Sequence, residues 1–273
     1  MKRIALLLSS VVLGPLPGSA ALIYGLTSTN GLISFDSSSP GTVTTLGTIS
    51  QAGIVDIDFY PVNGVLYGST GTGGLYRINT ATGVASLAAS PSLVIESLTD
   101  IDFNPSADRL RIFAANDQNF RMAPDVFTNN AAAPGTTLLD GTFSDTGVNL
   151  VGSAYSNNID GTATTTLYSI DSVSSRLYEH SVGPAFNTVT PRAATLGFTA
   201  SLNVGFDIGQ DGIAYLSNNN DFYTLDLSSG VATSAGTVGG SGLVSLAAVA
   251  VPEASTVSVL LLTGLAALRR RRA

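Results

Sequence analysis

The chain of 273 residues contains no cysteine, which removes disulfides, thiolate nucleophiles and thiolate metal ligands together. It contains one histidine, His180, with neither a second histidine nor a cysteine to join it in a metal or triad site. Charge is scarce, at 11% of residues, and lysine is all but missing. Lys2 and Arg3 stand at one extremity, and Arg269, Arg270, Arg271 and Arg272 at the other. Between them lie six arginines, set against the chain's nineteen carboxylates. The central part is therefore acidic and repels a polyanion, so nucleic-acid binding is excluded. A long apolar run is absent as well. The greasiest stretch outside the N-terminus, Val257 to Leu268, would make a helix of about 18 Å against a hydrocarbon core of about 30 Å.

What is present is glycine, serine, threonine, asparagine and valine, a palette for many short strands joined by tight turns. The length leaves room for one large domain with a sizeable core. At the N-terminus, "MKRIALLLSSVVLGPLPGSA" has a basic start, an apolar stretch from Ile4 to Leu13 and small residues at Gly18, Ser19, Ala20 and Ala21. Residues 1–21 are expected to be a secretory signal peptide with an apolar helix, cut near Ala20 or Ala21. Pro15 and Pro17 argue against an ordinary buried N-terminal helix.

The last 21 residues carry a second address. Pro252 and Glu253 precede the apolar segment, and the four arginines follow it. Such a segment holds a membrane marginally, with the arginines on the cytoplasmic side. "VPEAST", an apolar helix and a terminal arginine cluster resemble the PEP-CTERM sorting signal of exopolysaccharide-producing Gram-negative bacteria. The resemblance implies an exosortase-type processing partner and transient anchoring in the inner membrane, followed by release to the cell surface or medium. Ala254 stands where that family usually has a second proline. An ordinary tail anchor is the plainer alternative.

Between the signals the chain repeats. "DIDFYPVNGVLYGSTGTGGLYRINTATGVASLAA" (56–89) is echoed by "DIDFNPSADRLRIFAANDQNFRMAPD" (100–125), then from 150 and again from 204. Each copy reads as four strands, and periods of 40 to 50 residues of this kind mark propeller blades. Residues 22–47 lack a first strand, and "SLAAVAVP" (245–252) is a first strand without a blade. Pairing the two closes a ring, so residues 22–252 are expected to form an all-β propeller of about five four-stranded blades. A β-sandwich has the same strand content and differs only in arrangement. The quoted repeats, with "GLISFDSSSPGTVTTLG", "GSAYSNNIDGTATTTLYSID" and "GFDIGQDGIAYLS", also resemble domain of unknown function 4394. That resemblance implies an exported propeller-like domain and carries no activity.

Two groups of residues bear chemistry. Asp56 and Asp58, like Asp100 and Asp102, share a strand face at i and i+2, a spacing open to calcium, to glycoside cleavage or to bonding of backbone donors in neighbouring turns. The structural role is the favoured one. The densest polar run is the second: Asp102, Asn104, Arg109, Arg111, Gln118, Asn119 and Arg121 form the candidate ligand site, whose guanidiniums suit an acidic sugar. The favoured reading of the same arginines is an arginine–aspartate network stitching the third blade to its neighbours. No cofactor is expected, with calcium the weak exception, and Asp160, Asp211 and Asp221 read as turn residues. The recurring tyrosines 67, 76, 168, 178, 215 and 223 read as blade packing. The expectation is a non-enzymatic exported surface or matrix protein that binds extracellular polysaccharide; the alternative is a polysaccharide hydrolase or lyase using blades two and three.

Overall fold

A computed structural model of the chain describes residues 20–250 apart from 116, 127–131 and 241. The signal peptide, the sorting residues Pro252 and Glu253, and Arg269 to Arg272 lie outside the described residues, as do both expected terminal helices.

Five antiparallel four-stranded sheets make up the fold. Blade one holds β1 (Ala21–Thr27), β2 (Gly31–Asp36) and β3 (Val43–Thr48). Blade two is β4 (Ile54–Tyr60), β5 (Val65–Thr70), β6 (Leu75–Ile78) and β7 (Ala85–Ala89). Blade three is β8 (Leu98–Asn104), β9 (Arg109–Ala114), β10 (Gln118–Met122) and β11 (Thr137–Thr142). Blade four is β12 (Leu150–Tyr155), β13 (Leu167–Asp171), β14 (Arg176–His180) and β15 (Val189–Pro191). Blade five is β16 (Val204–Ile208), β17 (Ala214–Asn218), β18 (Asp221–Leu225) and β19 (Ala232–Thr237). The last strand, β20 (Leu243–Ala250), pairs with β1 in the register Ala21↔Ala250 to Leu26↔Ser245 and supplies blade one with its inner strand. The propeller expectation holds, and the ring is sealed where the orphan strand said it should be.

The first strand of each sheet lines the axis, and these five strands pack in sequence around it: β4 on β8, β8 on β12, β12 on β16, β16 on β20, β20 on β4. Apolar residues then bury between successive blades. One such layer joins Tyr67, Ile101, Phe103, Leu110 and Ile112 of blades two and three. Another joins Ile23, Phe35, Phe222 and Leu246 of blades five and one. Tyr67, Tyr178 and Tyr215 are buried in these layers, and Tyr76, Tyr168 and Tyr223 pack against them, so the recurrent tyrosines do serve the blades.

Outer strands are threonine-, serine- or alanine-bearing and largely exposed. In blades one, two, three and five the outermost pairing is interrupted by a β-bulge, which twists the edge away from partners. Turn residues tie the blades together. Asn30 takes φ 63° at the end of the β1–β2 turn, a conformation asparagine tolerates. Its Nδ2 donates to the carbonyls of Ile49 at 2.8 Å and Gln51 at 3.0 Å, fastening the linker to blade two.

Candidate functional site: the channel acids and the blade-three arginines

The inner pairing of blades one to four carries a bulge at equivalent positions, and counting from it, with blade five aligned by its sequence, places equivalent residues in layers. Asp56, Asp100, Gly152, Gly205 and Ser245 form one layer; Asp58, Asp102, Ala154, Asp207 and Ala247 form the next. Each polar residue reaches into the following blade. Asp56 Oδ2 accepts the Ile101 N–H at 2.6 Å, Asp58 Oδ2 that of Phe103 at 2.8 Å, and Asp102 Oδ1 that of Tyr155 at 3.2 Å. Asp207 Oδ2 accepts the Ala248 N–H at 2.6 Å, and Ser245 Oγ that of Ile57 at 3.1 Å. Ser153 donates its hydroxyl to Asp100. The structural role favoured for the paired aspartates is therefore what the inner strands display, with strand backbone rather than turns as the donor.

The second layer does more than bridge neighbours. Asp58, Asp102 and Asp207 each offer a carboxylate oxygen within 4.8 Å of the others, although blade five adjoins neither blade two nor blade three. Such residues can meet only across the axis. All three are at most 4% exposed, and Asp58 Oδ1 and Asp207 Oδ1 have no hydrogen-bond partner among the described residues. Burial is the largest influence on every one of these acids. It raises Asp207 to about 7, and it lifts Asp58 and Asp102 well above the carboxylate range, aided by Asp207 beside Asp58 and by Asp58 beside Asp102. In the first layer burial raises Asp56 to about 6 and, with Asp56 beside it, lifts Asp100 well above the carboxylate range.

The arginines of blade three are arranged differently. Arg111 lies directly opposite Arg121 on the neighbouring strand and opposite Asp102 on the other side. Two like charges facing one another need a counter-ion, and Asp140 on β11 provides it. Arg111 Nη1 is 2.7 Å from Asp140 Oδ2, and Arg121 Nε is 3.3 Å from Asp140 Oδ1. Arg111, 3% exposed, also donates to Asn119 Oδ1 at 2.7 Å, Tyr155 Oη at 3.1 Å and the Pro184 carbonyl at 2.9 Å. Asn119 Nδ2 in turn donates to the Ala185 carbonyl at 2.6 Å and Asn187 Oδ1 at 2.7 Å. These bonds stitch blade three to blade four.

Of the seven expected site residues, four line one cavity of about 510 Å³ between those blades: Asn104, Arg109, Arg111 and Arg121. Thr164, Thr165, Thr166 and Phe186 form its far wall. Arg109 is half-buried there; its guanidinium donates to its neighbour's carbonyl, Asp108 O, at 3.0 Å, and burial and Arg121 lower its pKa. Asn119 is wholly buried behind the cavity, Gln118 is not among its lining, and Asp102 turns to the axis. Sequence reasoning missed Asp140 and Tyr155 as partners of Arg111, and it missed Asp207 as the third channel acid. Only for Asp207 was a signal available, the alignment of "GFDIG" with "DIDF".

Two of the other openings lie at the ends of the channel strands. A cavity of about 710 Å³ between blades one and two is lined by Tyr24, Phe59, Tyr60, Arg77, Asn158 and Gln210 among others; the buried Tyr60 Oη and Asn158 Oδ1 have no partner among the described residues. Like the arginine cavity, it draws on the loops after the inner strands, so both open on one face of the ring. The opposite mouth is a funnel of about 570 Å³ to which all five blades contribute. Asp160 and Asp211 lie in turns as expected, whereas Asp221 opens strand β18. Asp211 accepts the Ile213 N–H at 3.0 Å and the Tyr215 hydroxyl at 2.8 Å, Thr237 donates to Asp221 at 3.4 Å, and Asp160 is exposed.

Among solved structures, the chain is similar to one in a nidogen/laminin complex, at 12% identity and TM-score 0.50, covering 85% of this chain and 98% of that one. It is similar to a putative 6-phosphogluconolactonase from Bacteroides uniformis at 13% identity and TM-score 0.46, covering 80% and 82%. An auxiliary nutrient binding protein from Bacteroides thetaiotaomicron aligns at 14% identity and TM-score 0.42, covering 71% and 56%. At these identities the likeness to the first is one of fold alone. No curated protein matches the chain. The family model that does match spans residues 21–249, the whole ring but for its last residue, and on that match the chain belongs to the domain of unknown function family DUF4394.

Proposed function

We propose that this protein is an exported, non-enzymatic propeller of the cell surface or extracellular matrix that binds acidic extracellular polysaccharide. The observation that carries the reading is the blade-three cavity. In a chain of net charge −7, three guanidiniums converge on it, and one carboxylate, Asp140, pairs two of them. A planar guanidinium pairs in a forked way with the carboxylate of a uronic acid, and the adjoining threonine hydroxyls and Phe186 ring suit sugar hydroxyls and a sugar face. The larger cavity on the same face, with Tyr24 and Phe59, gives a polymer a second place to rest. Export rests on the N-terminal signal, and surface delivery on the PEP-CTERM-like tail, its membrane segment and an exosortase-type enzyme.

The hydrolase or lyase reading asks carboxylates of blades two and three to reach substrate. Asp56, Asp58, Asp100 and Asp102 are all buried, and three of them hold backbone N–H groups of the next blade. Their geometry favours the binding reading.

The test is retention of the purified full chain on immobilised polygalacturonate and on a neutral glucan at low salt. Wild type is expected to be retained on the acidic polymer and released by salt. Arg109→Ala with Arg121→Ala should lower affinity about tenfold or more while the melting curve stays cooperative. Equal retention of wild type and double variant, or none on any acidic polymer including the host's own, would sink the reading.

A further inference from the structure

We infer that Asp58, Asp102 and Asp207 hold one calcium ion on the propeller axis. The inference stands apart from polysaccharide binding and rests on different residues. Three carboxylates from three blades converge with a backbone N–H each but with no cationic side chain beside them: none of the ion pairs among the described residues involves an inner-strand acid. A buried carboxylate is retained only when it is paired, protonated or bound to a metal. Here Asp58 Oδ1 and Asp207 Oδ1 are buried without a hydrogen-bond partner among the described residues.

The geometry suits a cation of calcium's size. Calcium–oxygen bonds are about 2.4 Å, so one ion can touch three oxygens that lie within 4.8 Å of one another. The donors are oxygens throughout; the chain has no cysteine, and His180 is bound to Ser169 and Phe186 in blade four. That donor set selects a hard cation over zinc or copper. Preorganisation is built in as well. Each carboxylate is already pinned through its other oxygen or, for Asp102, through Oδ1 by a backbone N–H of the following blade. Ala154 and Ala247 complete the layer with small apolar side chains that bring no competing polar group to the three acids. Bound there, the ion would fasten blade five to blades two and three across the channel, linking strands that share no hydrogen bond.

The experiment is calorimetric titration of the chelator-stripped full chain with CaCl2 at pH 7.5, paired with melting curves in EDTA and in calcium. The expected result is one ion per chain, and a Tm raised by about 5–10 °C at calcium a hundredfold above its Kd. Asp102→Asn and Asp207→Asn should each weaken binding at least tenfold, yet melt in EDTA no lower than wild type, because an amide removes the repulsion without changing the shape. No heat and no Tm change with CaCl2 overturns the inference for the wild-type chain whether or not a variant folds. Undiminished binding in both variants overturns the assignment to these residues.

Discussion

Arg111 has a side chain of five donors and almost no contact with solvent, and it is used as a rivet. Its partners Asp140, Asn119, Tyr155 and Pro184 come from two blades. Removing one member of such a buried pair leaves the other charged and alone, which typically destabilises by about 3–5 kcal/mol. Asp140→Ala should therefore shift the urea midpoint sharply downward, whereas Arg109→Ala, at a half-buried position, should move it little. His180 illustrates burial as the dominant influence on a titratable group. Its ring stacks near Phe113 and Phe143, Nδ1 donates to the Phe186 carbonyl at 2.7 Å, and Nε2 then accepts from Ser169 at 2.7 Å. Burial first, and Arg111 nearby, lower its pKa from 6.5 to about 4. A depressed histidine binds fewer protons folded than unfolded, so its contribution is present above pH 6.5 and is lost as pH falls through about 4. The gap is worth on the order of 3 kcal/mol. The ring proton signals of this lone histidine should stay unshifted in NMR between pH 8 and 5.5; a midpoint near 6.5 would refute the buried neutral ring. The stitching role of the arginines was legible in their density, but neither Asp140 as the partner nor the buried histidine was, because "DRLRIF" and "RLYEHS" show spacing and say nothing of what stands opposite.

At the scale of the element, the inner strand is the informative unit. It repeats a polar residue on the face turned to the following blade, and where that residue is missing the backbone itself comes closer. A Cβ on Gly205 would lie 2.5 Å from the Leu246 nitrogen, and one on Gly152 would lie 3.1 Å from the Phe206 Cβ. Gly205→Ala should thus force β16 away from β20 and destabilise by about 1–3 kcal/mol, seen as a lower denaturant midpoint with an unchanged m-value. The same alanine at exposed Gly161, where no atom lies within 4 Å, meets only the strain of φ 69°. Strand identity was readable from "DIDF" because period-two alternation and a 44-residue repeat survive in the letters. The distinction between Asp and Gly at one layer was not, because it depends on how near the next strand stands.

For the whole molecule, stability depends on closure. Blade one is a three-stranded sheet until β20 joins it, and β20 contributes to the apolar layers on both of its sides through Leu243, Leu246, Ala247 and Ala248. A chain ending at residue 242 would expose the β1 edge and open both layers. It is expected to lose cooperative melting and to aggregate in gel filtration. A truncated chain that melts as wild type would refute the closure argument.

The sequence by itself determined the strand count, the blade period and the pairing of the last strand with the first, since these follow from local alternation and from a copy that lacks one strand. It also brought Arg109, Arg111 and Arg121 into view together, because they sit within 13 residues on adjoining strands. Only the tertiary structure decided that Arg111 is consumed by Asp140, which joins from the far strand of the blade. Likewise only the closed ring brings Asp207 against Asp58 and Asp102, because residues on non-neighbouring blades meet at an axis that no stretch of sequence contains.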